Sequence, residues 1–319
     1  MKYGLPYMGS KNSIAKKIID LLPSTDNFYD LFCGGCAITH CALLSNKYKT
    51  VYANDIEKGI PKLFVDCING KYNNDYRWIS REDFEKLKDT DEFVRIIWSF
   101  GNQGKDYLYS REIEPWKKAY HYAVLGDYSY MADIGIRLPK IKKENITEKR
   151  LSVRKIIIEN QEEYKNKYIK YIGRQIKTQR LQDLQNLEAL ERIRVLSSLG
   201  RLQNLERLES LERLENLEIS GKDYSDVYIK PNSIIYCDIP YECTAEYKSG
   251  GFNHREFYNW ADNQEQAVYI SSYNISDNRF KCVFEIPKRS ILSTNKPVTE
   301  RVYTQTRYKD RVNKQLMLF

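Results

Sequence analysis

The residue types with the clearest chemical use form a short turn, Asp238-Ile239-Pro240-Tyr241. The turn follows an apolar β-branched run at 233–237, which predicts a buried strand. In open α/β sheets, functional side chains collect just outside the carboxyl ends of the strands. The Asp238 carboxylate and the Ile239 carbonyl can together accept hydrogen bonds from both N–H groups of one exocyclic amino group, and the Tyr241 ring can stack on the base that carries it. The alternative is a strand that ends in an ordinary Asp-Pro turn.

Two turns nearer the N-terminus suit a nucleoside-containing cofactor. A short predicted strand breaks at Gly34-Gly35 into a helix start of small residues, and glycines let a ligand approach the backbone. About twenty residues later a second predicted strand, 51–54, ends at Asp55, which is well placed to bind ribose hydroxyls. The spacing is not that of the dinucleotide fingerprint, so a dinucleotide is not predicted.

A third segment, 3–23, begins with a glycine turn and continues into an amphipathic helix. Lys11 at the predicted helix start would form an anion cradle, because free N–H groups and an ammonium converge there. Many helices that bind no ligand also start after Gly-Ser. Tyr7 is either a core aromatic or a lid over a flat ligand.

In their order along the chain, these motifs resemble the D12 class (Dam-like, alpha-group) of DNA adenine-N6 methyltransferases, of phage type. The resemblance covers about the first 60 and the last 100 residues, together with 98–104. The motifs that carry it are Tyr7…Lys11, Asp30-x-Phe32-x-Gly34, Asn54-Asp55, a long insert, and Asp238-Ile239-Pro240-Tyr241.

The resemblance implies an α/β fold, namely a seven-stranded Rossmann-like methyltransferase sheet with an inserted, mainly helical target-recognition domain. Residues 1–60 and 220–319 would form the catalytic domain, and 61–219 the insert. It implies transfer of a methyl group from S-adenosyl-L-methionine to N6 of a flipped adenine. The residues implied are Asp238, Ile239, Pro240 and Tyr241 for catalysis, and Tyr7, Lys11, Asp30, Phe32, Gly34, Asp55 and Asp238 for the cofactor.

Two positions depart from the family pattern. The catalytic motif usually has a second proline where Ile239 stands. The group used there is the backbone carbonyl, which isoleucine keeps, so we expect activity to survive in a less rigid turn. Cys36 stands where the glycine turn usually ends in glycine or another small residue.

Other functions remain open at this point. A related enzyme could methylate cytosine N4 or an adenine in RNA, although Asp238 favours adenine because cytosine-specific members tend to carry serine there. The chain could also be a DNA-binding or catalytically impaired paralogue. Such a protein could lose Asp55 and Asp238 freely, yet both are present.

The charge distribution favours a nucleic-acid partner, which we expect to be double-stranded DNA. Net charge is +8, and 137–180 alone holds 14 Lys/Arg against 5 Glu. Residues 98–109 interleave polar and aromatic side chains with glycines, which predicts a loop or hairpin that enters DNA. There Asn102 or Gln103 would pair with adenine edges, and Lys105 would meet a phosphate or guanine.

Residues 181–217 carry an apolar residue, nearly always leucine, at every third position. A period of three makes the leucines spiral around an α-helix, and it is not a heptad. We predict no structure for this leucine repeat and expect a spacer or a scaffold beside DNA.

Two predictions concern the last hundred residues. The segments 267–270 and 281–286 predict strands that pair with each other, and the resemblance puts the following Ser271, Ser272 and Tyr273 near the target base. His254 is expected to be a satisfied surface or helix-cap histidine and not a general base.

Several classes of protein are not indicated. No apolar run approaches the ~18 residues of a membrane span, and the N-terminus lacks the apolar region of a signal peptide. Seven cysteines suggest reduced thiols in a cytoplasm. Cys33-x-x-Cys36 has no second ligand pair, so no metal is expected. We expect a monomer.

Overall fold

The computed structural model describes residues 3–174, 200–202, 205, 214–242, 251–289 and 297–311. The chain forms two compact units, Met1–Asn73 with Asn204–Phe319 (the sheet unit) and Asn74–Gln203 (the insert unit). Within the described ranges, no helix is both long and apolar enough to cross a membrane.

The sheet unit contains a seven-stranded sheet of order β3-β2-β1-β4-β5-β7-β6. The pairs among β1 to β5 are parallel, whereas β7 runs antiparallel to both β5 and β6. This confirms the predicted Rossmann-like methyltransferase sheet. The strands are β1 Asn27–Asp30, β2 Thr50–Asn54, β3 Leu217–Ser220, β4 Ser233–Cys237, β5 Ala267–Ser272, β6 Phe280–Arg289 and β7 Pro297–Gln305.

The centre of the sheet is buried on both faces. Every residue of β4 and of β5 is buried, as expected for parallel strands covered on both sides. Their apolar sequences follow from this burial, and the first polar side chains appear where the strands end. The carboxyl ends of β1, β2 and β4 therefore lie along one edge of the sheet.

Within the described ranges, the sheet unit contains the helices α1 Ala15–Leu21, α2 Ala37–Leu44, α3 Gly59–Ile68 and α10 His254–Asn263. In α1 the predicted apolar face is buried, with Ile18 fully enclosed and Ile14 and Leu22 beside it. The predicted helix start at Lys11 is wrong, because α1 begins at Ala15 and Lys11 lies before the turn that leads into it.

The insert unit is helical in its described part. Its helices are α4 Arg81–Leu87, α5 Glu92–Ile97, α6 Glu114–Leu125, α7 Ser129–Asp133, α8 Ile146–Glu159 and α9 Gln161–Gly173. Ser80, Asp91 and Asn145 cap α4, α5 and α8 by accepting hydrogen bonds from backbone N–H groups. Trp116 and Tyr168 pack edge to face in a core of its own.

The predicted pairing of 267–270 with 281–286 is wrong. Both segments are strands, but β7 lies between them and pairs with each. The sequence gives little sign of β7 because Glu300 and Arg301 interrupt its apolar pattern. This strand proves to be essential to the candidate site.

The two units divide the chain at 73/74 and 203/204, whereas the sequence placed the boundaries of the insert at 60/61 and 219/220. The helix α3 belongs to the sheet unit, and Leu217, the last residue of the leucine repeat, begins β3, which pairs with β2. Most of the repeat lies outside the described residues. In its described part, Arg201 donates hydrogen bonds to the carbonyls of Ile97 and Ser99, 2.7 and 2.8 Å away.

Candidate active site

The catalytic turn begins directly after β4, where Asp238 meets Lys11. The Lys11 ammonium donates to both oxygens of the Asp238 carboxylate, with Nζ–O distances of 2.6 and 2.7 Å. The two residues are 227 positions apart in the chain, and the Lys11 side chain is 4% exposed. The ammonium thus binds the predicted catalytic acid, where the sequence suggested an anion cradle.

Burial shifts the pKa of both partners, and their contact opposes the shift in each case. Burial raises the pKa of Asp238, and Lys11 lowers it in part. Burial lowers the pKa of Lys11, but Asp238 and Glu300 outweigh burial and leave it raised. We therefore describe the pair as an ammonium and a carboxylate.

Contacts with residues outside the catalytic turn restrain Ile239 and Pro240. The Ile239 side chain is 2% exposed and packs in the apolar core beneath the sheet. The Pro240 carbonyl accepts a hydrogen bond from His254 Nε2 at 2.7 Å, so this nitrogen carries the proton. His254 is the first residue of α10, whose N-cap is Asn253. Core packing and this hydrogen bond restrain the turn where the family's second proline is absent.

Tyr241 connects the catalytic turn to β7. Its hydroxyl accepts a hydrogen bond from Lys11 Nζ at 2.9 Å and donates to the Glu300 carboxylate, with oxygen–oxygen distances of 2.9 and 3.0 Å. The Tyr241 ring lies 4.3 Å from the Tyr273 ring between centroids, at an interplanar angle of 48°. The two rings form one aromatic surface beside Asp238.

Glu300 is the site residue that the sequence interpretation misses. Its side chain is fully buried, accepts from Ser271 Oγ at 2.6 Å, and forms an ion pair with Lys288. Burial raises the pKa of Glu300, but Lys11 and Lys288 outweigh it and leave this pKa below its usual value. A glutamate inside a strand that is otherwise rich in β-branched residues is the available signal, since a buried charge needs partners.

The glycine turn after β1 is organised by Asp55. The Gly34 N–H donates to Asp55 Oδ2 at 2.8 Å, and the Glu57 N–H donates to Oδ1 at 2.9 Å. Gly34 has φ +44°, and a Cβ there would lie 3.1 Å from the Tyr7 ring. Tyr7 therefore packs on the glycine turn. Cys36 closes the turn in the left-handed region, with φ 59°.

Asp30 is buried, and Phe32 is half-buried. Asp30 Oδ2 accepts from the N–H and the hydroxyl of Thr39 in α2, at 3.1 and 2.7 Å. Its Oδ1 is buried and has no hydrogen-bond partner among the residues that the structure describes. Burial raises the pKa of Asp30 to about 7, and the nearby Asp238 and Asp55 contribute to this increase. Phe32 packs edge to face on Phe257, 5.7 Å away.

The predicted site residues thus form two groups at one edge of the sheet. Tyr7, Gly34 and Asp55 form the glycine turn. Lys11, Asp238 and Tyr241 form the catalytic turn with Glu300. Asp30 lies close enough to both Asp55 and Asp238 for their charges to affect its pKa.

The predicted DNA-reading segment is a hairpin within the insert unit, closed by a bridge between Ser99 and Tyr107. The side-chain amide of Asn102 donates to the Ile96 carbonyl at 2.9 Å, so this group is used internally. Gln103 and Lys105 are exposed, and Phe100 is 57% exposed.

No cluster suited to a metal ion occurs among the described His, Cys, Asp and Glu residues. The Sγ atoms of Cys33 and Cys36 lie 3.6 Å apart, and burial raises the pKa of both thiols. Neutral buried thiols are poor metal ligands.

The sheet topology and the acidic turns at its edge define a methyltransferase with a nucleoside-containing methyl donor. The family model of D12 class N6 adenine-specific DNA methyltransferase matches residues 7–304. The chain therefore belongs to the D12 class of N6 adenine-specific DNA methyltransferases. It transfers a methyl group from S-adenosyl-L-methionine to adenine N6 in DNA.

The residues at the sheet edge fit this methyl donor. S-adenosyl-L-methionine carries a sulfonium and an ammonium, and three carboxylates lie near one another here, those of Asp30, Asp55 and Asp238. Asp30 Oδ1 is a buried acceptor with no partner in the described ranges. The Tyr7 ring fills the space where a Cβ of Gly34 would stand and covers the glycine turn beside these carboxylates.

Proposed function

We propose that Asp238, the Ile239 carbonyl, Pro240 and Tyr241 carry out adenine-N6 methylation on double-stranded DNA, with the adenine flipped out of the duplex. The observation that supports this assignment most is the position of Asp238, a half-buried acid directly after β4 that is bound by Lys11, which also donates to the Tyr241 hydroxyl. A base inside the duplex cannot bring its amino group to a carboxylate whose side chain is only 19% exposed, so flipping is required.

Asp238 and the Ile239 carbonyl would orient the amino group. Each accepts one N6–H, which directs the nitrogen lone pair toward the methyl group. These hydrogen bonds would also increase electron density on N6 as it takes the methyl group from the sulfonium, and one N6 proton would then be lost to solvent. Orientation and preorganised electrostatics then account for most of the rate, with no covalent intermediate.

Tyr241 would hold the flipped base by stacking, which contributes about 1–3 kcal/mol for each base. Tyr273 lies against Tyr241 and enlarges this aromatic surface. Pro240 fixes the turn between the Ile239 carbonyl and Tyr241, and His254 restrains the Pro240 carbonyl.

On the cofactor side, bound S-adenosyl-L-methionine would supply the electrophilic methyl group. Asp30 and the Gly34 backbone would bind its amino-acid portion, and Asp55 would accept hydrogen bonds from the ribose hydroxyls. Phe32 shapes the site, and Tyr7 packs over the glycine turn. Lys11 would act on this cofactor through Asp238.

The insert unit would recognise the target sequence, as the region of the family inserted before the catalytic motif does. Lys142 and Lys143 are exposed in the basic stretch 137–180 and suit contacts with phosphates. Gln103 and Lys105 are exposed in its hairpin and could contact the bases or the backbone of DNA. We place the enzyme in the cytoplasm of a bacterial or phage-infected cell, as a monomer.

Flipping is testable with 2-aminopurine at the target adenine, once that target has been mapped by sequencing modified DNA. Wild-type protein should increase 2-aminopurine fluorescence on binding. Tyr241→Phe keeps the ring and should preserve the increase, whereas Tyr241→Ala should reduce it. An equal increase with Tyr241→Ala in a folded protein would exclude stacking on Tyr241.

A further inference from the structure

A cluster of four charges surrounds the catalytic turn, and the mechanism proposed above uses Asp238 and Lys11 but neither Glu300 nor Lys288. Asp238 and Glu300 supply two carboxylates, and Lys11 and Lys288 supply two ammonium groups. Lys11 lies between the carboxylates, 2.6 Å from Asp238 Oδ1 and 3.8 Å from Glu300 Oε1. The cluster is neutral overall, which makes its burial tolerable.

Glu300 reaches this cluster because of the reversed strand β7. In the sheet, Glu300 is the register partner of Ile286, and Ser272 is the partner of Arg301. Side chains of every second residue share a face, so Ser271 and Lys288 flank Glu300 diagonally on its own face. Both bind its carboxylate. The carboxylate is thereby fixed from both neighbouring strands.

This arrangement bears on the strength of Asp238 as an acceptor. An ammonium bound to both oxygens of a carboxylate withdraws electron density from them. That weakens the acceptor that the adenine amino group needs. A second carboxylate near the same ammonium, joined to it through the Tyr241 hydroxyl, opposes this withdrawal and holds the ammonium partly toward itself.

We propose that Glu300 is a positioning residue for methyl transfer: it fixes the Tyr241 hydroxyl and attracts the Lys11 ammonium, which keeps Asp238 a stronger hydrogen-bond acceptor. This proposal rests on the assigned role of Asp238. Lys288 compensates the Glu300 charge and lies 5.2 Å from the centre of the Tyr273 ring, which links β6 to the same aromatic surface. If Glu300 had a purely structural role, its charge would serve only to keep the cluster neutral and would not affect methyl transfer.

The decisive variant is Glu300→Gln, which keeps the shape and an acceptor oxygen but removes the charge. We expect kcat to fall on the order of tenfold to a hundredfold. The KM for DNA and the Kd for S-adenosyl-L-methionine should stay within about threefold, because Glu300 is buried behind Tyr241. The matched control is Glu285→Gln on β6, an exposed glutamate paired with Arg301 at 2.6 Å, which should leave all three constants unchanged.

A pH profile separates positioning from structural support. The Glu300 charge raises the pKa of Asp238, while burial raises it most and Lys11 and Lys288 lower it. Removing the Glu300 charge should therefore shift the acid limb of the kcat profile to lower pH. Among the described residues, the other charged or titratable groups around Asp238 are Lys11, Lys288, Asp30, Tyr236, Cys237, Tyr241 and Tyr273, which the substitution retains.

Tyr241→Phe provides a second variant should Glu300→Gln fail to fold. It removes the hydroxyl that joins Lys11 to Glu300 and keeps the ring, so base flipping should persist while kcat falls. Wild-type kcat in folded Glu300→Gln, an unshifted acid limb, or wild-type kcat in Tyr241→Phe would each overturn the proposal. Absence of methyl transfer in the wild-type protein would instead refute the assigned function.

Discussion

The glycine turn and the catalytic turn lie at one edge of the same sheet but are built in different ways. In the glycine turn, backbone N–H groups are bound by a carboxylate from the neighbouring strand, as between Gly34 and Asp55. In the catalytic turn, the side chains of Asp238 and Tyr241 are bound by other charged or polar side chains, Lys11 and Glu300. One turn relies on backbone geometry and the other on a balance of buried charges.

This difference affects how each turn should respond to substitution. A turn held through its backbone should tolerate the loss of one charge and lose only affinity for its ligand. A cluster of buried charges should not, because removing one member leaves its partners buried without compensation. Three substitutions test this contrast.

Lys11→Met should have the largest effect. It leaves Asp238 and Glu300 as two buried carboxylates with Lys288 as their remaining cationic partner among the described residues. Loss of one partner of a buried ion pair typically costs about 3–5 kcal/mol in the free energy of unfolding. Denaturant unfolding should show such a decrease, and methyl transfer should be lost.

The control is Lys16→Met, whose lysine is 69% exposed and pairs with Asp20 at 2.6 Å on the surface of α1. Exposed pairs contribute little, so its stability should stay within about 1 kcal/mol of wild type. A Lys11→Met protein with unchanged stability and weakened cofactor binding would support the anion cradle instead.

Asp30→Asn should have a smaller effect, confined to the pH dependence of cofactor binding. Burial raises the pKa of Asp30 to about 7 in the folded protein, so the carboxyl is neutral below that pH. A bound cation favours the ionised form. Affinity for S-adenosyl-L-methionine should therefore rise about tenfold from pH 6 to pH 8.

Calorimetric titration at several pH values measures this dependence. Asp30→Asn cannot ionise, so its affinity should be weaker and nearly independent of pH across the same range. The free energy of unfolding of the wild-type protein without cofactor should show the opposite trend and fall as pH rises from about 4 to about 7. The reason is that the folded state binds the proton of the Asp30 carboxyl more tightly than the unfolded state does. An equally steep affinity profile in Asp30→Asn would exclude Asp30 as its source.

The same contrast explains how much the sequence could predict. The seven-stranded sheet, the glycine turn and the catalytic turn follow from contiguous motifs, and the fold prediction is confirmed. The contact between Lys11 and Asp238 spans 227 residues, and Glu300 comes from a strand that the sequence hardly indicates. Such pairs depend on sheet order, which places β7 between β5 and β6.

The hairpin and the turn at Ile239 also contain contacts that the sequence does not predict. The sequence indicates Asn102 as a residue that could contact bases, but in the fold its side-chain amide donates to the Ile96 carbonyl. The loss of a proline at Ile239 suggests a looser turn. Two contacts compensate for the absent proline: the Ile239 side chain is buried, and His254 donates a hydrogen bond to the Pro240 carbonyl. No local sequence pattern predicts either contact.

The most direct test of the account is methyl incorporation by Asp238→Ala. Tritium from labelled S-adenosyl-L-methionine should enter DNA with the wild-type protein and with the control Asp226→Ala, an exposed aspartate of the same unit. It should not enter DNA with Asp238→Ala, while DNA binding persists because phosphate contacts dominate duplex affinity. Mass spectrometry of the digested wild-type product should identify N6-methyladenine. Wild-type incorporation by folded Asp238→Ala would contradict the role assigned to this carboxylate.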